Sequence, residues 1–283
     1  MIRLSRIRKG LRLLKCLALR KPLDPELQRD VHVLRLRLRV WMSVLTRKPL
    51  DVRFHHEFNL WAAKGVGEDM DNPHRRIIEL ALPKMGLAAG DRILDLACGA
   101  GLASRLLASS PAGCGRVVAM DISDEMLRHA RSRSSRLPNV NFVCGTAEHI
   151  PFPDNFFAKA LSVEAFYYFE RQDRVLADLY RVLAPGGRLF VLICLYKDHA
   201  DSLATVDAVD VPVQVRSIAE YKALLEDNGW IDVNAEEFVR APQPGRKPDV
   251  HDRALLLSAQ KPVLSAQGMV SGERREKAST LCG

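Results

Sequence analysis

Leu94-Asp-Leu-Ala-Cys-Gly-Ala-Gly101 is the stretch whose reading decides the fold. Arg92 to Leu96 is largely apolar, as a central strand of a parallel sheet is. The glycines that follow let the backbone turn tightly and approach a ligand closely. From Gly101 onward, Leu102, Leu106 and Leu107 recur at helical spacing. The unit therefore reads strand, loop, helix.

Downstream, Val117 to Met120 forms a second apolar strand, closed by Asp121, which lies 20 residues beyond Gly101. A nucleotide-binding βαβ unit puts an acid there to hold two ribose hydroxyls. Two features oppose a dinucleotide. The third glycine of Gly-x-Gly-x-x-Gly is Ser104, and Asp95 presents a carboxylate from within the first strand. A pyrophosphate would need a compensating cation beside that acid, whereas a ligand with an ammonium group would be attracted to it.

A third strand, Asn139 to Cys144, runs into Gly145-Thr-Ala-Glu-His-Ile-Pro-Phe-Pro-Asp154. Phe157 to Val163 reads as a fourth strand and Arg174 to Leu183 as a helix. Pro185-Gly-Gly187 makes a turn before a fifth strand, Arg188 to Leu195. Taken together, these residues resemble the class I S-adenosylmethionine-dependent methyltransferases. Within that class the chain is similar to the type 11 methyltransferase domain, the group of the ubiquinone and menaquinone C-methyltransferases. The likeness covers Asp91 to Tyr196 well and Ser217 to Val239 more loosely. It implies an α/β fold: a Rossmann-like sheet of seven strands with the last antiparallel, helices on both faces, and an N-terminal helical arm and lid.

The resemblance also implies roles. Asp95 and the loop Ala97, Cys98, Gly99, Ala100 and Gly101 would take the methionine ammonium and carboxylate of S-adenosylmethionine. Asp121 would accept both ribose hydroxyls, with Ile122 on the adenine face and Met126 nearby. Thr146, Ala147 and Glu148 would meet the adenine edge, and Ser162 and Val163 would floor the pocket near the methyl. One departure is Phe157-Ala158, where family members usually have Phe-Asp.

Catalytic groups follow from the chemistry of an activated methyl donor, for which aligning the acceptor does most of the work. Glu164, beside Phe166, Tyr167 and Tyr168, is the first choice for a general base, its pKa raised by apolar surroundings. His55 and His56 come next, and Trp61, Tyr167 and Tyr168 are placed to pack on a planar or isoprenoid acceptor. Each also has a structural reading, as a hydrogen-bonding partner or core residue. The expected acceptor is a small or lipid-like molecule. The competing functions are a cofactor-binding regulator without catalysis and an NAD-dependent oxidoreductase.

The chain of 283 residues carries a net charge of +8, unevenly spread. Residues 1–50 hold 14 Lys or Arg against 3 acids, while the remainder holds 28 against 31. Because the basic surface is not around the glycine loop, no nucleic-acid substrate is expected. Leu4, Ile7, Leu11, Leu14 and Ala18 form an apolar stripe among Arg and Lys, as in a helix lying on an anionic membrane. The same arm suits a helix docked on its own domain, a disordered tail, or, over residues 1–22, an organelle transit peptide. Arg-Lys-Pro-Leu-Asp occurs at Arg20 and again at Arg47, so breaks are expected at Pro22 and Pro49. Between them, Val33 to Val40 alternates leucine and arginine, and strand or helix stays open.

Six cysteines show no Cys-x-x-Cys pairing; 98, 144 and 194 read as reduced core residues, and no metal is expected. No apolar run reaches the ~20 residues needed to span a bilayer, so the protein reads as cytoplasmic or peripheral. Ser217-Ile-Ala-Glu220 is a capping box opening a helix to Asn228, and Trp230 to Val239 and Ala254 to Gln260 are the last strands. The expected division is a basic arm (1–50), a lid and substrate region (51–90), the methyltransferase domain (91–262) and a disordered tail (263–283).

Overall fold

The computed structural model describes residues 24–111, 113–200, 202, 211–240 and 250–263. The stripe from Leu4 to Ala18, the break at Pro22 and nearly all of the tail lie outside these.

Seven strands appear where buried or alternating apolar runs predict them: β1 (Arg92–Leu96), β2 (Arg116–Asp121), β3 (Val140–Cys144), β4 (Phe157–Val163), β5 (Leu183–Ile193), β6 (Ile231–Val239) and β7 (Arg253–Gln260). They form one sheet in the order β3-β2-β1-β4-β5-β7-β6, with β7 antiparallel to both neighbours. The strand order reverses between β1 and β4, so the carboxyl ends of these two strands open a crevice.

Period-two alternation divides the core between the two faces. Along β5, Leu189, Val191 and Ile193 face one layer, with the helices α7 (Gln172–Val182) and α8 (Ile218–Asp227). Phe190, Leu192 and Cys194 face the other, with α4 (Asp71–Ala81), α5 (Leu102–Ala108) and α6 (Asp124–Arg133). The capping box forms: Ser217 Oγ accepts from Glu220 N at 3.1 Å and Glu220 accepts from Ser217 N at 2.7 Å.

The front of the chain is helical. The segment 33–40 belongs to α1 (Pro25–Leu45), capped by Asp24, whose carboxylate accepts from Leu27 N at 3.0 Å. Leu27, Leu36 and Ser43 bury the inner side of α1 against α2 (Leu50–Ala63). Its outer side leaves Leu34, Leu38, Trp41, Met42 and Leu45 exposed. Pro49 separates the two helices as expected. A short α3 (Val66–Asp69) leads into α4.

Two local expectations are corrected. Pro185-Gly-Gly187 is an irregularity inside β5: its register with β4 jumps from Phe157–Leu183 to Lys159–Arg188, Gly186 is left-handed (φ 77°), and a Cβ on Gly187 would meet Ala184 O at 2.7 Å. Cys144 is exposed, since it ends β3 at the edge of the sheet, whereas Cys98 and Cys194 are buried. The described cysteines are all free.

Candidate active site

The crevice holds a cavity of about 940 Å³, walled by the loops after β1, β2 and β4 and roofed by α2 to α4. At its floor Asp95 is almost wholly buried. Ser104 donates its hydroxyl to Asp95 Oδ2, and Oδ1 has no hydrogen-bond partner among the described residues. Burial pushes the Asp95 carboxyl up to about 7, against the pull of the Ser104 hydrogen bond. Ser104, which departs from the glycine pattern, thus orients the acid. Beyond Asp95 the backbone is left-handed at Ala97 (φ 60°), Gly99 (φ 53°) and Gly101 (φ 78°). A Cβ on Gly99 would meet nothing within 4 Å, so the loop presents bare backbone. At Gly101 a Cβ would lie 2.9 Å from that of Ala130, which fixes the close packing of α5 on α6.

Asp121 ends β2 with each carboxylate oxygen accepting one backbone N–H: Gly99 N on Oδ2 and Ser123 N on Oδ1, both at 2.8 Å. Each oxygen keeps a lone pair for a ligand hydroxyl. Burial raises the Asp121 pKa, partly offset by these backbone donors. Helix α2 is tied to this edge. His55 Nδ1 lies 2.8 Å from Ile122 O, and Asn59 donates to Asp124 at 2.8 Å and accepts from the Ser123 hydroxyl at 2.5 Å.

Beyond β4, Glu164 has a left-handed backbone (φ 52°), strained for a non-glycine residue. Its Oε1 accepts from Cys194 N, and its Oε2 from Tyr167 OH at 3.1 Å. Burial raises its pKa, while His251 and these donors oppose the rise. His74 of α4 and His251, in the turn before β7, each bring a ring nitrogen to within 4.8 Å of the Glu164 carboxylate and of each other. Burial, then the His251 charge, pushes His74 down to about 4. Above this polar end stands an aromatic wall. The Tyr168 ring centroid lies 5.3 Å from Phe58, 6.2 Å from Phe54 and 6.4 Å from Trp61.

Most residues singled out from sequence line this one cavity: Asp95, Ala97 to Ala100, Asp121, Ile122, Met126, Thr146 to Glu148, Val163, Glu164, Trp61, Tyr167 and Tyr168. Four are not among its lining. Gly101 backs onto α6, His55 is turned to Ile122 O, and Ser162 and His56 are held away from it; among the described residues the Ser162 hydroxyl and His56 Nδ1 are buried with no hydrogen-bond partner. Sequence reasoning missed His74 and His251, which belong to distant segments, and the contribution of Phe54 to the aromatic wall.

The floor suits a ligand with a cationic end at Asp95 and a vicinal diol at Asp121. Comparisons agree. Residues 94–191 match a family model described as a methyltransferase domain. The chain is 39% identical over 110 residues to the ubiquinone/menaquinone biosynthesis C-methyltransferase of Psychromonas ingrahamii, covering 38% of this chain and 44% of that protein. It is 38% identical over 122 residues to the enzyme of that name from Ectopseudomonas mendocina, covering 42% and 48%. The chain thus spans about half the length of the relatives it matches. Among solved structures, a chain from the complex between the Haloferax volcanii Trm112 methyltransferase activator and a putative methyltransferase superposes with a TM-score of 0.66. Its identity is 26%, over 73% of this chain and 98% of that one. An S-adenosylmethionine-dependent methyltransferase from Aquifex aeolicus shares the fold, with a TM-score of 0.52 at 23% identity over 70% and 97%. Sheet order, left-handed glycine loop and the match over residues 94–191 together identify this part of the chain as a class I, S-adenosylmethionine-dependent methyltransferase domain.

Proposed function

We propose that the chain transfers a methyl group from S-adenosylmethionine to a small-molecule or lipid-like acceptor. The observation that carries this reading is Asp121, with one backbone N–H on each oxygen and a lone pair of each left over, beside a bare glycine loop at the sheet's switch point. Asp95 Oδ1 supports it as a partner for the methionine ammonium. In the loop, the N–H groups of Cys98, Gly99 and Gly101 already donate to Met120 O, Asp121 and Cys98 O, so those of Ala97 and Ala100 would meet the carboxylate. Ile122 and Met126 would pack on the adenine, and Thr146, Ala147 and Glu148 would meet its edge.

Bound there, the sulfonium supplies a methyl group already activated for displacement. The protein's task is then to hold the acceptor in line with the S–CH3 bond, which is worth up to about 7–11 kcal/mol of the barrier. Trp61, Tyr167 and Tyr168, joined by Phe54 and Phe58, would clamp a planar or prenylated acceptor. Val163 would lie under the methyl, and the Glu164 carboxylate would face the acceptor atom that loses a proton. A cavity of about 940 Å³ is at the large end of ligand sites, which favours two reactants over a binder of cofactor alone. The test is incubation of the full chain with a cell extract and methyl-labelled S-adenosylmethionine. Label in the organic-soluble small molecules, reduced at limiting S-adenosylmethionine with Asp121→Ala, is the expected result; label confined to protein or nucleic acid overturns the acceptor class.

A second reading concerns residues 1–50 and an anionic membrane surface. It is favoured by the exposed ridge Leu34, Leu38, Trp41, Met42 and Leu45 on α1, flanked by Arg35, Arg37 and Arg39. No helix among the described residues is long and apolar enough to cross a membrane, so contact would be through this face. Sedimentation with vesicles containing phosphatidylserine tests it. Leu38→Glu/Trp41→Glu should lose the binding, and indifference of the wild-type chain to such vesicles at low salt overturns it.

A further inference from the structure

We propose that His74, Glu164 and His251 form a binding site for a divalent transition-metal cation at the acceptor end of the cavity. The sequence gives no hint of it, because the three residues lie far apart in the chain and no spacing motif links them. The fold brings them together from three separate elements: the lid helix α4, the loop after β4 and the turn before β7. One donor atom of each lies within 4.8 Å of the other two. Donors around a tetrahedral cation with bonds of about 2.0–2.1 Å stand roughly 3.4 Å apart, so the three atoms would approach one another by at most about 1.4 Å to close around a cation. The two rings are 5.1 Å apart between centroids and tilted by 57°, not stacked against each other.

The donor set selects the cation. Two imidazoles and one carboxylate suit zinc, cobalt, iron(II) or manganese, whereas magnesium and calcium prefer oxygen ligands. The supporting shell is in place: Cys194 N–H and Tyr167 OH fix both Glu164 oxygens and so aim the carboxylate's remaining lone pairs. A general-base pair would need one histidine beside the acid; a second, reaching in from the lid, is what a ligand set requires. All three residues line the cavity, so the open coordination positions face the space assigned to the acceptor. The cation's use rests on the methyl-transfer reading. There it would hold an acceptor oxygen adjacent to the atom being methylated, pointing to acceptors with a hydroxyl or enol at that place. Its binding does not depend on that reading.

The test uses the full chain, freed of metal with a chelator and titrated with Co2+, followed by visible absorption and calorimetry with Mg2+ as control. One Co2+ per chain is expected, with the stronger ligand-field bands of a four- or five-coordinate site and no competition from equimolar Mg2+. His74→Ala, His251→Ala and Glu164→Gln should each weaken binding by about tenfold or more. S-adenosylhomocysteine binding by the same variants reports whether they remain folded. Absence of stoichiometric Co2+ binding, or wild-type affinity in His251→Ala and Glu164→Gln, overturns the site. Co2+ binding in a chain that ignores S-adenosylhomocysteine would retain the metal site and overturn the methyl-transfer reading instead.

Discussion

Asp95 should make both stability and ligand affinity depend on pH near neutrality. In the folded chain burial pushes its carboxyl from 3.8 up to about 7. Between those values the folded state holds a proton that the unfolded state has lost. Stability from this group is therefore complete below pH 3.8 and declines as pH rises to about 7. A span of about three pH units, at about 1.4 kcal/mol each, makes the total about 4 kcal/mol as an upper figure. A ligand ammonium beside Oδ1 favours the ionised form and recovers part of that cost. Binding of S-adenosylhomocysteine should then release up to one proton per chain at pH 6. Its affinity should fall by up to about tenfold per pH unit below 7. Calorimetry in buffers of different ionisation enthalpy counts the proton directly. In Asp95→Asn the release should vanish and affinity should become flat between pH 5.5 and 7.5. Equal proton release by wild type and Asp95→Asn would refute the assignment.

Asp121→Ala should weaken S-adenosylhomocysteine binding by about 1.5–3 kcal/mol, since hydrogen bonds to a charged acceptor are lost; calorimetry reads this. Gly101→Ala should destabilise the fold by about 1–3 kcal/mol, read from urea unfolding, because its Cβ would press on Ala130 at 2.9 Å in a left-handed backbone. In chelator-treated protein, where loss of a bound cation is not read as loss of a base, Glu164→Gln should lower turnover by about 10²–10⁴ with cofactor affinity unchanged; a much smaller fall in labelled product would mean that alignment alone carries the reaction. Deleting residues 1–50 should abolish binding to anionic vesicles, where each engaged Lys or Arg contributes about 1 kcal/mol, and vesicle sedimentation at low and high salt checks it.

What was legible in the sequence is what local patterning dictates. β1 runs from Arg92 to Leu96 as read, because a short buried strand ending in glycines has few alternatives. That Asp95, the glycine loop and Asp121 meet in one crevice was legible because each lies at the carboxyl end of a parallel strand, within one contiguous stretch. Two-fold and helical periods conflict at Val33 to Val40, where leucine and arginine alternate as in a strand. The Asp24-Pro25 cap and the burial of Leu36 and Ser43, seven residues apart, settle it as a helix. Ser104 looked like a defect in a glycine motif, and only the three-dimensional contact with Asp95 gives it a role. His74 and His251 were invisible because their meeting depends on how α4 and the turn before β7 pack around the end of β4.

The most direct test of the central claim is equilibrium binding of S-adenosylhomocysteine and, separately, NADH to the full chain by calorimetry. One S-adenosylhomocysteine site per chain is predicted, weakened by Asp121→Ala and abolished by Gly99→Val in chains that still fold, with no site for NADH. Binding of NADH in place of S-adenosylhomocysteine, or S-adenosylhomocysteine affinity indifferent to both substitutions, would contradict the account.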